Sequence, residues 1–392
     1  MRRRTQVAIV GAGPAGLLLA NVLIAAGVDC VVVEHRSREH VQTRARAGFL
    51  EQRTVDCLRR HGLCAGLDAA AARHVRCEFR SERRSFVVDY GELAGGRAHW
   101  VYPQQLLVRD LVQSLVSRGG DVRFSHAVER VEGVDSDAPL LVCRSAAGET
   151  LEISCEIVAG CDGARGISCQ ALAGGGAQAI ERRYPFGWLT VLAEADPPPA
   201  HIVYAMHADG FAAHVPRTPE VSRFYLQCAA GDTASDWPAE RVWAQLRRRL
   251  SPHGAAELTP GRILEQGVLA MRSSVTAPMQ HGRLYLAGDA AHVLTPCGAK
   301  GMNLAIADAD ALARSLVARL RDGDGEQLDG YGARRLPDVW RSQEFSDWLL
   351  HLLHEPLAGT AVDYERRLRA ARLEQLEHSP SFAQTFARRY VG

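Results

Sequence analysis

Nowhere in the 392 residues does an apolar run reach the roughly 20 residues that a bilayer-spanning helix needs. A surplus of charge is missing too: 46 Lys and Arg face 45 Asp and Glu, a formal balance of +1. That balance gives no electrostatic basis for holding nucleic acid or an anionic membrane. The ten cysteines are scattered. They form no C-x-x-C pair and no paired Cys/His spacing of a zinc site, so no metal is expected and reduced thiols in the cytoplasm are the simpler reading. Internal repeats and low-complexity tracts are also absent. The basic start Met1-Arg-Arg-Arg4 imitates a secretory signal, but Gly-Ala-Gly-Pro breaks the apolar stretch behind it at once, and a cytoplasmic protein is expected. At about 150 residues per domain, the length predicts two or three domains.

Three glycine-bearing signatures stand out in what remains: Gly11-Ala-Gly-Pro-Ala-Gly16, Cys161-Asp-Gly163 and Ala287-Gly-Asp-Ala-Ala-His292. The first follows the apolar run Gln6-Val-Ala-Ile-Val10 and precedes a predicted helix from Pro14 to Ala26, ended by Gly27. In that context Gly11 permits a tight turn, Gly13 lets the backbone approach a pyrophosphate and Gly16 lets the helix pack on the strand. The N–H groups and dipole at the helix start favour the anion. A second strand, Cys30 to Val33, ends in Glu34, an acid placed to hydrogen-bond a ribose diol. A Gly-rich turn without ligand would share the first motif alone. The other two signatures also follow strand-like runs, Ile153 to Gly160 and Arg283 to Leu286. Three strand ends can thus bring turns to one elongated cofactor, and FAD is the candidate.

The organisation predicts an α/β protein with a Rossmann-like FAD-binding domain, an inserted, mostly antiparallel β-sheet substrate domain and a helical C-terminal region. The boundaries drawn are 1–180, 181–278 and 279–392. Short β-type runs at Trp188–Ala193, His201–Ala205, Phe211–Val215 and Ser222–Gln227 are separated by Pro and Gly turns. Residues 197–199, all proline, read as a loop between two of them, and a helix is predicted near Trp237–Leu250. Gln104 to Ser117 reads as a helix of the first domain.

From Thr5-Gln-Val-Ala-Ile to Tyr390-Val-Gly392, essentially the whole chain resembles the 4-hydroxybenzoate 3-monooxygenase family of single-component FAD-dependent aromatic hydroxylases. Arg46-Ala-Gly-Phe-Leu-Glu-Gln52, Tyr184-Pro-Phe-Gly-Trp188, Pro278-Met-Gln-His-Gly-Arg283 and Ala299-Lys-Gly-Met-Asn-Leu-Ala305 carry the likeness beyond generic flavoproteins. In that family NAD(P)H reduces FAD, O2 adds to reduced flavin and the flavin hydroperoxide hydroxylates a phenol; a homodimer is implied on the same ground. Carried over by position, Gly11, Gly13, Gly16 and Glu34 are implied pyrophosphate and ribose contacts, with Arg44, Arg46 and Gln104 as further FAD contacts and Asp289 as the ribityl ligand. Pro296 to Asn303 reads as a turn and helix start facing the isoalloxazine, its dipole favouring negative charge on reduced flavin. Lys300 and Asn303 belong to that segment, and Arg223 matches the arginine about which the family's flavin swings.

For the substrate, the resemblance implies Arg217 as the carboxylate-binding cation and Tyr225 as a second carboxylate partner. Val215 stands where the family usually has a serine that donates to the same carboxylate. Loss of one neutral hydrogen bond is worth about 1 kcal/mol against about 1.5–3 for one to a charged group, so Arg217 should still anchor an acid. Tyr204, Tyr390 and His74 match a relay that passes the phenolic proton to solvent. Pro296 matches a proline whose carbonyl touches the substrate, and Cys297 replaces the threonine usually beside it.

The nicotinamide coenzyme has no Rossmann domain of its own in this family. His35, Arg36, Arg38, His40 and Arg44 form a basic segment that could hold a 2′-phosphate, which favours NADPH over NADH; a solvated charge run is the other reading. Arg165 replaces a familiar histidine and Cys169 a familiar arginine, while Arg272 matches a position used near the coenzyme or flavin. Three functions follow: hydroxylation of 4-hydroxybenzoate ortho to its phenol, the same chemistry on an amino- or dihydroxybenzoate of secondary metabolism, or a non-catalytic flavin-binding protein. Retention of Tyr204, Arg217, Tyr225, His74 and Tyr390 argues against the last.

Overall fold

The computed structural model describes residues 1–44, 48–82, 84–195, 201–218, 220–250, 258–356 and 362–392. The chain divides into two compact units, Met1–Ala72, Tyr102–Arg182 and Ser273–Glu344 forming the first, and Arg73–Val101, Arg183–Arg272 and Phe345–Gly392 the second. The sequence boundaries at 180 and 278 fall near two of these crossings. Residues 73–101, drawn within the 1–180 domain, group with the β-rich unit, and so do residues 345–392, the end of the C-terminal helical region.

In the first unit, Val7–Val10, Cys30–Val33 and Ile157–Gly160 are four-residue apolar strands buried at every position. Strands without a polar face need cover on both sides, the condition of a parallel sheet. The sheet runs Gln280–His281, Leu284–Leu286, Ile157–Gly160, Val7–Val10, Cys30–Val33, Asp121–Arg123, parallel except for the first hairpin. Helix Pro14–Ala25 packs against helices Gln104–Ser117 and Lys300–Asp322. Asn21 pins it by donating to the carbonyls of Leu17 and Leu111, both at 2.9 Å.

The predicted strand from Ile153 to Gly160 is two strands. Thr150–Ser154 belongs to a four-stranded sheet with Arg2–Arg4, Leu140–Ser145 and His126–Glu132. Between them the backbone changes partner: the Cys155 N–H donates to Pro139 and the Ile157 N–H to Gln6. The switch falls at Cys155 and the exposed Glu156, between the partly exposed Thr150–Ser154 and the fully buried Ile157–Gly160.

In the second unit the sheet order is Ile263–Ala277, Gln178–Glu194, Val221–Ala229, Ala212–Pro216, Ile202–Met206, Arg76–Ser81, Arg84–Asp89. Ile202–Met206 runs parallel to Arg76–Ser81 within this mostly antiparallel sheet. Gln178–Glu194 extends well beyond the predicted Trp188–Ala193, with Pro185 lying just ahead of the first pair, Phe186 with Ala229. The proline run at 197–199 lies outside the described residues. Leu189, Val191, Val203, Ala205, Phe224 and Leu226 pack against Val242, Trp243 and Leu246 of helix Ala239–Leu250. Strand alternation therefore turns Thr190, Tyr204, Ala213, Val215, Arg223 and Tyr225 to the opposite face. Among the described residues, no helix is long and apolar enough to cross a membrane.

The turn after Leu284–Leu286 is held from behind by Asp308. One carboxylate oxygen accepts from the Gly288 N–H at 3.1 Å and from His292 Nε2 at 2.5 Å, and the other from Arg335 Nε at 2.8 Å. Burial alone would raise the Asp308 pKa, but the charges and hydrogen bonds of His292 and Arg335 outweigh it and hold the carboxyl below its ordinary value. A depressed folded pKa gives stability that is present above the unfolded value of about 4 and lost as pH falls further. Asp308→Asn should cost about 3 kcal/mol at pH 7, since it breaks a buried ion pair with Arg335, which keeps Asp338 at 2.7 Å. Denaturant titrations at successively lower pH should then show the variant and the parent converging below about pH 4; a pH-independent gap would reject this account.

Candidate functional site

The first glycine turn has the close contacts its sequence demands. Gly11 sits at φ +104°, and a Cβ there would lie 2.4 Å from the Cys161 carbonyl oxygen; one at Gly16 would lie 2.1 Å from the Gly11 oxygen. A Cβ at Gly13 would meet nothing within 4 Å, which leaves the start of helix Pro14–Ala25 open to a ligand. That helix has Pro14 in its first turn and no side-chain cap, so its first N–H groups point outward. Glu34, at the end of Cys30–Val33, is buried and accepts from the N–H groups of Ala12 at 2.9 Å and Arg36 at 2.8 Å. The glycines and the acid thus form one cradle, and this cradle fits a dinucleotide.

Asp162 caps the next element. Its carboxylate accepts from the Ser168 N–H at 3.0 Å, at the start of helix Ile167–Ala173. Burial raises the Asp162 pKa, and the Ser168 and Ile167 amides oppose it. In the third signature Gly288 takes φ +66° and Asp289 is exposed at the turn. Beyond it, Gly298 at φ +75° and Ala299 at φ +55° lead into helix Lys300–Asp322, which has no side-chain cap at its start. Pro296 is partly buried ahead of that bend and Cys297 is buried within it.

Lys300 and Asn303 are placed as supports of this region. Lys300 Nζ donates to Glu51 at 2.6 Å, with both side chains almost fully buried, and Arg53 Nε lies 2.5 Å from the other Glu51 oxygen. The Asn303 amide oxygen accepts from the Glu51 N–H, and its nitrogen donates to the carbonyls of Phe49 and Ala299. Lys300 is the only lysine in the sequence. Glu51 was not singled out from the sequence, since nothing local marks an acid 249 residues away as the partner of that lysine.

Gln104 opens helix Gln104–Ser117 and is partly buried. His35, Arg36, Arg38, His40 and Arg44 are exposed. His35 Nδ1 lies 2.9 Å from Glu34, and the His40 N–H is capped by Ser37 in the short helix Arg38–Thr43. Arg165 is exposed, and Cys169 Sγ lies 3.6 Å from Thr276 Oγ1. Arg46 lies outside the described residues.

In the second unit, cross-strand register lines up Tyr204, Ala213, Tyr225 and Thr190 in one row. Val215, paired with Arg223, forms the next row on the same face. Arg217 follows two residues after Val215, and the Tyr225 phenol hydrogen-bonds it. Burial lowers the Arg217 pKa and Tyr225 opposes that shift. Arg223 is buried and reaches Glu265 at 3.5 Å, while Arg272 is partly buried in strand Ile263–Ala277. The Tyr204 and Tyr390 hydroxyls meet at 2.6 Å.

Burial pushes the Tyr390 phenol pKa well up, reinforced by Tyr204. His74, at the end of Ala72–His74, is buried, and its pKa is lowered first by that burial and then by the charges of Arg217 and His201. Sequence reasoning missed the rings that fix these tyrosines. His99 and Tyr90 pack edge-on against Tyr390, at centroid distances of 4.6 and 5.0 Å. Trp188 lies 4.8 Å from Tyr225 and donates to His354 Nε2 at 2.6 Å. No local pattern marks such partners, because each pair is far apart in sequence.

A glycine-turn cradle on a parallel sheet, with an acid closing the second strand, defines a dinucleotide-binding flavoprotein fold. Residues 4–346 match the family described as an FAD binding domain. The chain is 36% identical over 389 residues to the p-hydroxybenzoate hydroxylase of Acinetobacter baylyi, covering 99% of this chain and 95% of that one. It is 29% identical over 383 residues to a 3-amino-4-hydroxybenzoate 2-monooxygenase of Streptomyces platensis, covering 90% and 89% of the two chains. The crystal structure of p-nitrophenol 4-monooxygenase from Pseudomonas putida shares the fold, with a TM-score of 0.84, 22% identity and coverage of 100% and 99%. This chain belongs to the single-component FAD-dependent aromatic hydroxylases, and is an enzyme of that kind, a monooxygenase.

The Glu51 cluster makes a stability prediction. Lys300→Met leaves a buried carboxylate with Arg53 alone and should cost about 3 kcal/mol or more. Adding Glu51→Gln to Lys300→Met should restore most of that loss, because the unpaired charge is gone. Thermal denaturation of the two variants beside the parent checks this; a double variant no more stable than Lys300→Met would refute it.

Proposed function

We propose that this enzyme hydroxylates 4-hydroxybenzoate at the ring carbon beside its phenol, giving 3,4-dihydroxybenzoate, with NAD(P)H as reductant and O2 as oxidant. Bound FAD supplies the oxygen-transfer chemistry, and Gly11, Gly13, Gly16, Glu34 and Asp289 are the residues proposed to hold it. The observation that carries the reading is the shared sheet face on which a cation, Arg217 with Tyr225 against it, accompanies Tyr204 in its 2.6 Å contact with Tyr390. A guanidinium can grip a carboxylate with two parallel hydrogen bonds. At the other end of such a substrate stands a phenol, whose ordinary pKa of about 10 keeps it protonated at pH 7.

Each tyrosine hydroxyl both donates and accepts, so a pair in contact can pass a proton without either becoming an anion. The raised Tyr390 pKa suits it to that conducting role. Burial and the charge of Arg217 lower the proton affinity of His74, so it is neutral at pH 7; we assign it the exchange of the proton with solvent. Removing the phenolic proton raises the electron density of the ring at the carbon to be hydroxylated.

Val215 favours a second reading, the same reaction on an amino- or hydroxyl-substituted 4-hydroxybenzoate. It is a buried apolar side chain on the face that carries Tyr225, and one relative is named for an amino-substituted substrate. On either reading the exposed Arg36, Arg38 and Arg44 are proposed to receive the 2′-phosphate of NADPH, and the enzyme is proposed to work in the cytoplasm as a homodimer. The decisive experiment measures which aromatic acid accelerates NADPH oxidation and identifies the product by mass and ring position. Acceleration by 4-hydroxybenzoate with formation of the 3,4-diol supports the first reading; turnover of a substituted acid alone supports the second.

Two variants separate binding from activation. Arg217→Ala should raise the dissociation constant of the aromatic acid by about one to two orders of magnitude, as loss of a charge-assisted contact requires, with flavin content intact. Unchanged affinity by equilibrium titration would remove Arg217 from the carboxylate site. Tyr204→Phe should leave binding nearly unchanged but divert nicotinamide oxidation to hydrogen peroxide. Measured as product per NADPH consumed, normal coupling in that variant would exclude the tyrosine pair as the proton path.

A further inference from the structure

The two helices that meet at Glu51 and Lys300 meet again further along. Helix Gln52–Arg60 carries Cys57 in its last turn and His61 at its C-cap, four residues apart and so on one side of the helix. Asp310 faces them from helix Lys300–Asp322. One donor atom from each of the three side chains lies within 4.8 Å of the other two. Cys57 is buried, the Asp310 carboxylate nearly so, and His61 is 17% exposed, with its Nε2 2.7 Å from Asp310 Oδ1. A cleft of about 190 Å³ is lined by Cys57 and Asp310 together with Thr54, Arg60 and Arg314, and gives a path from solvent.

We propose that Cys57, His61 and Asp310 bind a zinc-class divalent cation, with the fourth coordination position turned to the cleft. Thiolate, imidazole and carboxylate together are a zinc donor set, whereas magnesium and calcium take oxygen ligands. Around tetrahedral zinc, with bonds of about 2.0–2.3 Å, neighbouring donors stand roughly 3.3–3.6 Å apart. The His61–Asp310 pair therefore has to open by less than about 1 Å, and Cys57, within 4.8 Å of both, has to close by no more than about 1.5 Å. Binding breaks the Cys57 S–H bond and releases the proton to solvent; the sulfur lone pair forms the bond to the metal, and no electron transfer is involved. Thiolate and carboxylate then offset the two positive charges of the ion.

The competing arrangement is a hydrogen-bonded carboxylate and nothing more. Arg60 and Arg314 each approach Asp310 at 3.3 Å, and both are more than half exposed. The carboxylate is buried but both guanidiniums sit largely in water, and each can turn to solvent when a cation takes the carboxylate. They remain competitors, which gives the proposal a sign to test.

Chelator-treated holoenzyme titrated with Zn2+ alone in a calorimeter should bind one ion per chain at micromolar or tighter affinity, and its thermal midpoint should rise with free zinc. Cd2+ should add an ultraviolet thiolate-to-metal charge-transfer band, which a structural hydrogen bond cannot produce. Cys57→Ser should abolish that band and, like His61→Ala, weaken Zn2+ binding by about tenfold or more. Arg60→Ala combined with Arg314→Ala should instead tighten binding; both residues are at the surface, so this variant should fold even if a ligand variant does not. Absence of stoichiometric binding, a cadmium band that survives Cys57→Ser, or weaker binding in the double arginine variant would overturn the proposal.

Discussion

Asp308 takes three donors at once: the backbone N–H of Gly288 and the side chains of His292 and Arg335. It has no solvent to fall back on, so each donor must be where it is for the others to be satisfied. The residue sits two turns into the helix that begins at Lys300, and the backbone group it grips lies immediately before Asp289. Helix and turn consequently share a reference point. Tyr331 adds a second one by donating to the Leu286 carbonyl at the end of the strand that leads into the turn. The same helix carries Lys300 and Asn303 to Glu51 at its start and Asp310 to His61 further on. Much of the first unit is positioned from this single element, by buried polar contacts that admit few alternatives.

Glycine spacing was the most legible part of the sequence because it follows from local geometry. Gly11 and Gly16 are glycines since a side chain would overlap backbone atoms, and a strand, a turn and a helix can be recognised within twenty residues. Strand and helix positions such as Cys30–Val33 and Gln104–Ser117 were equally plain. Less legible was anything depending on the choice of partner. The strand predicted across Ile153–Gly160 divides between two sheets, and residues 73–101 supply strands to a sheet whose other members begin about a hundred residues later. Hydrophobic pattern records whether a residue is buried, not against what.

The tyrosines illustrate the same limit at the level of a site. Resemblance supplied the positions of Tyr204 and Tyr390, but their 2.6 Å contact depends on a strand and the last helix arriving together. His99, Tyr90, Trp188 and His354, which surround Tyr390 and Tyr225, carry no motif. Cysteine spacing likewise gave no hint of Cys57, His61 and Asp310, because the carboxylate lies 249 residues beyond the histidine. Arg217 and Val215 fared better. Strand alternation puts Val215 on the face of Tyr225, the partner of Arg217, so a substitution at 215 can be read as a change in the surface beside that pair.

The solitary lysine has a consequence for how the protein meets reagents and pH. With Lys300 sealed against Glu51, every cationic side chain on the surface that does not belong to histidine is a guanidinium. Guanidiniums stay charged to beyond about pH 12, so alkaline solutions that would neutralise an ordinary lysine-bearing surface leave this one charged. Side-chain amine chemistry has no purchase on it either: apart from the exposed amine of Met1, an acylating label would find an amine only when the helix bearing Lys300 comes away from Glu51, which makes labelling of Lys300 a direct reporter of opening in the first unit.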